Sequence, residues 1–259
     1  MPRSAVQAVA RQESLRQMLA RGQEVSTAAL AERFDVDAIT IRRDLQRLER
    51  DGLAVRRYGG AITAQRISFE FQFDQRHQTN LEQKRRIGAA AAARIGEAET
   101  VFLDTGTTTL EIARALRQQA RACTVITSSL VIASELWAST QVDLMLLGGT
   151  VRHGSPDLVG AATEFMLDRL TGDVAFLGSE GMDSARGSFA TDLETARIAE
   201  RMAANARRVV IVADASKVGL AGTARYAAVT DIDELITDRG ADRAAVAALR
   251  RRGMTVTLV

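Results

Sequence analysis

The chain has 259 residues, 46% of them hydrophobic, which is enough for a small domain and a medium-sized domain with separate cores. The aromatic fraction of 4% argues against binding of single-stranded nucleic acid by base stacking. One cysteine excludes an intrachain disulfide, and two histidines far apart form no zinc motif, so we expect no metal. No apolar run approaches 18 residues and the N-terminus lacks a signal-peptide core, so we expect a cytoplasmic protein with no membrane partner.

The net charge of +2 is unevenly distributed along the chain. Residues 1–66 contain 12 basic and 8 acidic residues, whereas the remainder has a slight acidic excess. A basic excess confined to one segment is typical of nucleic-acid binding. The N-terminal segment is therefore the place to look for a DNA-binding element.

Two helices are predicted before residue 37. Apolar residues within 3–21 are compatible with one inward face, so this first helix is expected to support those that follow. Ser26 is suited to cap the second helix, in which Leu30 and Phe34 would face inward.

A third helix is predicted to begin after Asp37, whose carboxylate can accept a hydrogen bond from an unpaired amide. Ile41, Leu45 and Leu48 have the i, i+4, i+7 spacing of one buried stripe. The opposite face and its borders carry mainly arginine and polar residues: Ile39, Thr40, Arg42, Arg43, Gln46, Arg47 and Arg50. This face suits a helix in the DNA major groove, where arginine binds guanine edges or phosphates and an apolar tip contacts a thymine methyl. A solvated basic helix in an ordinary bundle is the alternative.

A strand and a glycine turn follow this helix. Residues 53–58 alternate as a strand does, and Gly59-Gly60 favours a hairpin turn. Arg56 and Arg57 on this hairpin would reach phosphate oxygens of DNA. The helix pair and the hairpin together predict a winged helix-turn-helix.

Three motifs in this segment resemble the winged helix-turn-helix of the DeoR family of bacterial transcription regulators: TIRRDL at 40–45, the LERDGL that follows, and RRYGGA at 56–61. The resemblance implies double-stranded operator DNA as a partner. It assigns DNA contact to Ser26, Thr27, Ile39, Thr40, Arg42, Arg43, Gln46, Arg47, Arg56, Arg57 and Tyr58. Two residues depart from the family, because many members have Ser in place of Asp37 and His in place of Tyr58. Both changes can alter the DNA sequence that is read.

We expect the DNA-binding domain at residues 1–62, a linker at 63–80 and a second domain at 81–259. Phe69, Phe71 and Phe73 alternate, which predicts a short extended segment in the linker. Helical texture resumes from residue 81 to 95, with Lys84 near its start.

From residue 100 onward, apolar runs alternate with helical segments. Strands are predicted at 101–104, 124–127, 142–149, 173–178, 208–214, 234–238 and 254–259. Helices are predicted at 110–118, 130–138, 162–170, 194–206 and 242–251. This alternation indicates an α/β fold with a mainly parallel sheet covered on both faces. Ligands of such sheets bind at the carboxyl ends of the strands, near a topological switch point.

Small polar turns follow several of these strands. They are Asp104-Thr105-Gly106-Thr107-Thr108-Thr109, Thr127-Ser128-Ser129, Gly148-Gly149-Thr150 with Arg152, and Ser216-Lys217. Such turns offer amides, hydroxyls and a helix dipole to an anion, which favours a small phosphorylated ligand. Asp104, Glu194 and Asp214 can accept hydrogen bonds from sugar hydroxyls. The alternative is that the Ser and Thr residues are ordinary helix caps; no Walker loop or GxGxxG motif is present, so no cofactor is expected.

These turns, with FLGSEGMD at 176–183 and DASK at 214–217, resemble the effector domain of the DeoR family. That domain is Rossmann-like and similar in fold to ribose-5-phosphate isomerase and glucosamine-6-phosphate deaminase. The resemblance implies a sensor of a phosphorylated sugar or polyol. It assigns effector contact to Lys84, Asp104, Thr105, Gly106, Thr107, Thr108, Thr109, Ser128, Ser129, Gly148, Gly149, Arg152, Glu194 and Lys217. Glu180 departs from the residues common at its position.

The expected function is that of a transcription regulator that works as a homo-oligomer, a dimer or a tetramer. From the family we expect a repressor of sugar or polyol catabolism genes that a phosphorylated intermediate relieves. The alternative is a sugar-phosphate isomerase or deaminase with an added DNA-binding domain, with Glu194 and Lys217 as candidate catalytic groups. The paired-acid stretch of the isomerases is not visible in the sequence, so no enzyme activity is expected.

Overall fold

The computed structural model describes residues 11–15, 18, 25–50, 54–57, 60–63, 72–119, 121–152 and 155–259. The chain divides into two compact units, Met1–Asp74 and Gln75–Val259. Each unit has its own cluster of buried apolar residues, so each is described by itself.

The first unit combines short helices with a three-stranded antiparallel sheet. Its elements are β1 (Val25–Ser26), α1 (Thr27–Phe34), α2 (Ala38–Arg50), β2 (Ala54–Arg57) and β3 (Gly60–Thr63). Strand β3 lies between β1 and β2 and pairs with both. Residues 11–15 and 18 are helical, and the rest of the helix predicted at 3–21 lies outside the described residues. This arrangement confirms the predicted winged helix-turn-helix.

The apolar stripe predicted for α2 is buried. Ile41, Leu45 and Leu48 are at most 1% exposed and pack with Leu15 and Leu30. This packing fixes which face of α2 remains open to solvent.

The turn between α1 and α2 places the start of α2. Asp35 adopts a left-handed backbone with φ of 49° and ends α1. Helix α2 begins where the Asp37 carboxylate accepts a hydrogen bond from the Thr40 amide at 2.6 Å, as predicted. Ser26 occupies the N-cap position of α1 as predicted, but its side chain makes no capping hydrogen bond, and its backbone pairs with Gly60 in the sheet.

The prediction of an extended segment in the linker is wrong at Phe73, the last of its three phenylalanines. Residues Gln72–Gln78 form a helix, α3. Phe73 and His77, four residues apart, are both buried, which is the spacing of one helical face. Phe69 and Phe71 lie outside the described residues.

The second unit is built on a seven-stranded parallel sheet. The sheet strands are β4 (Thr100–Leu103), β5 (Cys123–Thr127), β6 (Val142–Leu146), β9 (Val174–Gly178), β12 (Val209–Val212), β14 (Glu234–Thr237) and β15 (Thr255–Leu258). The helices are α4 (Leu81–Ala92), α5 (Thr107–Gln119), α6 (Leu130–Leu136), α7 (Ala161–Leu167), α8 (Leu193–Ala204) and α9 (Arg243–Arg251). The predicted α/β class with a parallel sheet is therefore confirmed.

Two small antiparallel sheets were missed by the sequence pattern. One pairs β7 (Thr150–Val151) with β8 (Leu158–Val159), and the other has the order β10 (Gly181–Asp183), β11 (Gly187–Ala190), β13 (Ala224–Ala227). Strands of two to four residues are too short to show alternation in a sequence window.

The order of the large sheet, β15-β14-β12-β9-β4-β5-β6, contains one reversal of direction. The chain runs outward from β4 to β6, then returns to place β9 on the other side of β4. The carboxyl ends of β4 and β9 therefore flank a topological switch point, where α/β sheets bind ligands. Among the helices in the described part of the chain, none combines the length and apolar character needed to cross a membrane.

A substitution of Asp44 tests the packing of the first unit. Asp44 is a charged residue, yet it is buried beside the apolar stripe of α2. Its carboxylate accepts hydrogen bonds from Arg11 Nε at 2.7 Å and Gln12 Nε2 at 2.8 Å. We expect Asp44→Ala to lower the free energy of unfolding of this unit by about 2–3 kcal/mol, because the variant leaves a largely buried guanidinium without its partner. Hydrogen exchange of peptides from residues 25–50 measures the loss. The exposed Glu32→Ala is the control, and equal exchange in the two variants would contradict a structural role for Asp44.

Candidate functional site

The exposed face of α2 carries the residues predicted to contact DNA. Ile39 is 57% exposed, although it is apolar and lies in the first turn of the helix. Thr40 is half-buried, and the fully solvent-facing polar side chains on this face are Arg42, Arg43, Gln46 and Arg47. The structure therefore brings these residues together on one surface that the core does not use.

The remaining residues predicted to contact DNA differ in their exposure to solvent. Ser26 is exposed, whereas Thr27 is buried at the start of α1, so its side chain does not lie on an open surface as the prediction requires. The backbones of Arg56 and Arg57 lie in β2. Their side chains, that of Arg50, and the whole of Tyr58 lie outside the described residues.

Asp37 holds the end of α2 at which these side chains begin. The bond from the Thr40 amide lowers the pKa of the Asp37 carboxyl, as does the nearby charge of Arg43. The carboxylate therefore stays charged at neutral pH and keeps its capping bond, which fixes the position of Ile39 and Thr40.

In the second unit, Asp104 lies at the switch point, directly after β4. It is 3% exposed, and its Oδ2 accepts a hydrogen bond from the Gly178 amide at 3.0 Å. Its Oδ1 is buried without a partner among the described residues. Burial raises the pKa of this carboxyl to about 7, and the nearby Asp157 charge adds to the effect. A buried polar atom without a partner marks a place where a ligand or an ordered water binds.

Thr105 and Gly106 form the loop that leads from β4 into α5, and Thr107 to Thr109 are the first residues of that helix. Gly106 has φ of 145°, a conformation that favours glycine. The Thr109 hydroxyl donates to the Gly106 carbonyl at 3.0 Å, so it is already used within the loop. The amides of Thr107 and Thr108 belong to the first turn of α5 and lack helical partners, which leaves them able to bind an anion.

Ser128 and Ser129 follow β5, the strand beside β4. Ser129 caps α6, because its side chain accepts a hydrogen bond from the Ile132 amide at 3.3 Å. The Ser128 Oγ is buried and has no partner among the described residues. Strand β5 pairs in parallel with β4, so Ser128 after β5 and Asp104 after β4 follow neighbouring strands at the same edge of the sheet. Two unsatisfied polar side chains therefore lie at neighbouring strand ends.

The glycines predicted as ligand contacts have a structural role. Gly149 has φ of 155°, and a Cβ at this position would collide with the Thr163 hydroxyl. That hydroxyl donates to the Gly148 carbonyl at 2.7 Å. Glycine is therefore required here for packing against α7, whether or not a ligand is bound.

Arg152 is held by two acidic side chains. Its Nη1 donates to Asp192 Oδ2 at 2.6 Å, and its Nε donates to Asp157 Oδ2 at 3.2 Å. Asp192 also caps α8; its partial burial favours a higher pKa, but the Thr195 amide and the Arg152 charge together hold the pKa of this carboxyl below its usual value. Glu194, predicted to contact the effector, is exposed in the first turn of α8.

Lys217 and Lys84 lie near one another at the same edge of the sheet. Lys217 Nζ donates to Glu180 Oε2 at 2.6 Å. Lys84 is buried, and its Nζ donates to the carbonyls of Arg76 and Thr79. Burial lowers the pKa of the Lys84 ammonium, which the charge of Asp214 partly offsets and that of Lys217 reinforces.

The sequence analysis missed the partners that hold these groups. Asp157 and Asp192 bind Arg152, and Asn80 Nδ2 donates to Asp214 Oδ1 at 3.0 Å. These partners lie far from Arg152 and Asp214 in the sequence or carry no motif of their own, so no local signal could have found them.

Replacing Asp104 with Asn tests the buried carboxyl through the pH dependence of stability. Its pKa of about 7 lies above the ordinary value of 3.8, so the folded chain favours the protonated form. The wild type should therefore lose stability as the pH rises from about 4 to about 7, and the Asn variant should not. We expect the variant to gain about 4 kcal/mol relative to the wild type over this range. Urea unfolding at several pH values measures the gain; the exposed Asp143→Asn is the control, and a pH-independent difference would refute the argument.

Comparison with known proteins matches both units to one family. The family model described as the DeoR C terminal sensor domain matches residues 79–239, and the DeoR-like helix-turn-helix domain matches residues 11–66. The HTH-type transcriptional regulator GlpR of Haloferax volcanii is 35% identical over 89% of this chain and 90% of its own. The glycerol-3-phosphate regulon repressor of Escherichia coli K12 is 31% identical over 83% of this chain and 84% of its own.

The chain also aligns with ribose 5-phosphate isomerase A from Neisseria gonorrhoeae, over 52% of each chain at 16% identity and a TM-score of 0.40. A similarity this weak carries no argument. The two family matches and the relatives identify the family: the protein is a DNA-binding transcription regulator of the DeoR family.

Proposed function

We propose that this regulator is a repressor of genes for the uptake and breakdown of a sugar or polyol, and that a phosphorylated intermediate relieves repression. A relative with 31% identity is named a glycerol-3-phosphate regulon repressor, which supports both the sign and the ligand class. In this proposal the protein is cytoplasmic and needs no cofactor.

The observation that carries the proposal is the pair of unsatisfied polar groups at the switch point. Asp104 Oδ1 and Ser128 Oγ are buried at neighbouring strand ends beside the first turn of α5. A polyhydroxylated ligand offers hydroxyls to both groups. Its phosphate would bind the free amides of α5 or the ammonium groups of Lys84 and Lys217, which are the charges suited to an anion.

We further propose that residues 1–62 bind the operator, residues 63–80 connect the domains, and residues 81–259 bind the effector and form a homo-oligomer. A two-fold dimer would place its recognition helices about 34 Å apart along DNA, or at a multiple of that spacing. A coupling of about 1–3 kcal/mol between ligand and operator would change operator affinity roughly 5–150-fold.

We propose no catalytic activity. The sequence nominated Glu194 and Lys217 as catalytic groups for an isomerase. Glu194 is exposed on α8, and Lys217 is paired with Glu180, so neither is arranged as a base held against a buried substrate carbon. Turnover of ribose 5-phosphate or glucosamine 6-phosphate by the purified protein would contradict this view.

A thermal-shift screen against sugar and polyol phosphates, each beside its unphosphorylated parent, tests the ligand class. A ligand at a hundredfold excess over its Kd stabilises the folded chain by about 2.7 kcal/mol, which raises the Tm. We expect a rise with one phosphate and none with its parent. Lys217→Ala should abolish the rise, whereas Arg239→Ala, an exposed cation after β14, should retain it. An equal response to phosphate and parent would reject the phosphorylated ligand.

Arg43→Ala tests the DNA-binding face of α2. The affinity of the full-length protein is measured on a duplex that it selects from a random-sequence library. We expect the variant to lose roughly 5–150-fold in affinity, since an arginine contact with a guanine edge contributes about 1–3 kcal/mol. If Arg43 also neutralises a phosphate, the log–log salt slope becomes shallower by about 0.9. The exposed Arg85→Ala on α4 is the matched control, and unchanged affinity of Arg43→Ala would refute the assignment.

A further inference from the structure

The carboxylate of Glu180 is already paired with Lys217, one of the two lysines that the proposed function assigns to the phosphate of the ligand. Lys217 Nζ donates to Glu180 Oε2 at 2.6 Å, and Arg76 Nη1 donates to Glu180 Oε1 at 3.4 Å. Both ion pairs are partly open to water, with side-chain exposures of 31% for Lys217, 36% for Glu180 and 44% for Arg76. Glu180 therefore lies between a cation of the candidate site and a cation of α3.

We propose that Glu180 is a built-in competitor for the phosphate of the ligand at Lys217, and that its displacement transmits ligand binding to α3. This inference rests on the proposed function, because it takes a phosphate as the charged group of the ligand. It adds a residue that the sequence comparison with the family left without a role.

The energetics favour displacement by a phosphate. Ion pairs that are open to solvent are weak, so little is lost when Glu180 leaves Lys217. A phosphomonoester brings a charge between about −1.5 and −2 and three acceptor oxygens, against one charge on a carboxylate. Lys84, whose ammonium is close enough for the charges of Lys217 and Glu180 to influence its pKa, strengthens the preference for the more highly charged anion. The same competition disfavours a sugar acid, which has only a carboxylate to offer.

Helix α3 is attached to this site by three sets of contacts. Its Arg76 side chain binds Glu180, and the carbonyls of Arg76 and Thr79 accept hydrogen bonds from Lys84. Asn80, directly after the helix, donates to Asp214 at 3.0 Å. A change at Glu180 therefore alters one of the contacts that hold the C-terminal end of α3.

Helix α3 lies where the two compact units of the chain meet in sequence, so a change in its contacts affects the connection between them. The division between the two compact units falls between Asp74 and Gln75, within α3 itself. Any force on this helix therefore acts on the segment that joins the sensor unit to the DNA-binding unit. In this view, a change in the contact between Glu180 and Arg76 is the first event after ligand binding.

The test titrates the full-length protein with inorganic phosphate and measures affinity by calorimetry in the wild type and in Glu180→Gln. Removal of the competing charge should tighten phosphate binding about two- to fivefold. The matched control is Glu164→Gln. Glu164 lies on α7 and its carboxylate pairs with Arg201 of α8 at 2.9 Å, so this variant should bind phosphate as the wild type does. In hydrogen exchange, residues 72–80 of the wild type should change on adding phosphate, and Glu180→Gln should show the changed exchange without phosphate.

The outcomes separate this inference from the proposed function. If Glu180→Gln and the wild type bind phosphate equally and Lys217→Gln does not bind it, the competitor role is overturned and the phosphate site stands. If no protein binds phosphate, the wild type included, both are overturned. Should Glu180→Gln fail to fold, Glu180→Ala removes the same competing charge and must also bind phosphate more tightly than the wild type. Unchanged affinity in that variant overturns the inference.

Discussion

A side-chain hydrogen bond links the ends of the two paired strands on which the candidate sensor site depends. The Gly178 amide at the end of β9 donates to Asp104 at the end of β4, and these are the strands between which the order of the sheet reverses. The bond uses one carboxylate oxygen and leaves the other buried and unpaired. Because burial raises the pKa of this carboxyl, Asp104 can donate a hydrogen bond as well as accept one near neutral pH. Such a group suits ligand hydroxyls, which also do both.

Charge balance is the second constraint on the site. Arg152 has Asp157 and Asp192 as partners, and Lys217 has Glu180. The residue types of an anion site are therefore present in a setting that is already compensated. Under the proposal, affinity for an anion comes from exchanging partners rather than from filling an unoccupied positive pocket, and this exchange links binding to a change in structure.

Much of this arrangement was predictable from local sequence patterns. The stripe of Ile41, Leu45 and Leu48 is buried as its spacing indicates, and the apolar runs form a parallel sheet. The charge pairs were not predictable, because Arg152 and Asp192 are 40 residues apart and meet only once the strand order is known. Helix α3 was missed because its seven residues show the helical period only through Phe73 and His77, and the phenylalanine alternation before it suggested a strand. Thr27 was carried over by resemblance alone, which says nothing about burial in this chain.

The reversal in strand order also bears on the synthesis of the protein. Strand β4 is an interior strand of the sheet, yet its partner residues on β9 follow 73 positions later, and Gly178 follows Asp104 by 74 residues. The DNA-binding unit, by contrast, lies wholly within the first 74 residues and makes its sheet and helix contacts locally. On the ribosome, where domains fold as units from the N-terminus, the part that reads DNA is complete before the sensing site exists. The growing chain therefore completes its helix-turn-helix unit first and the strand ends of the candidate sensor site last.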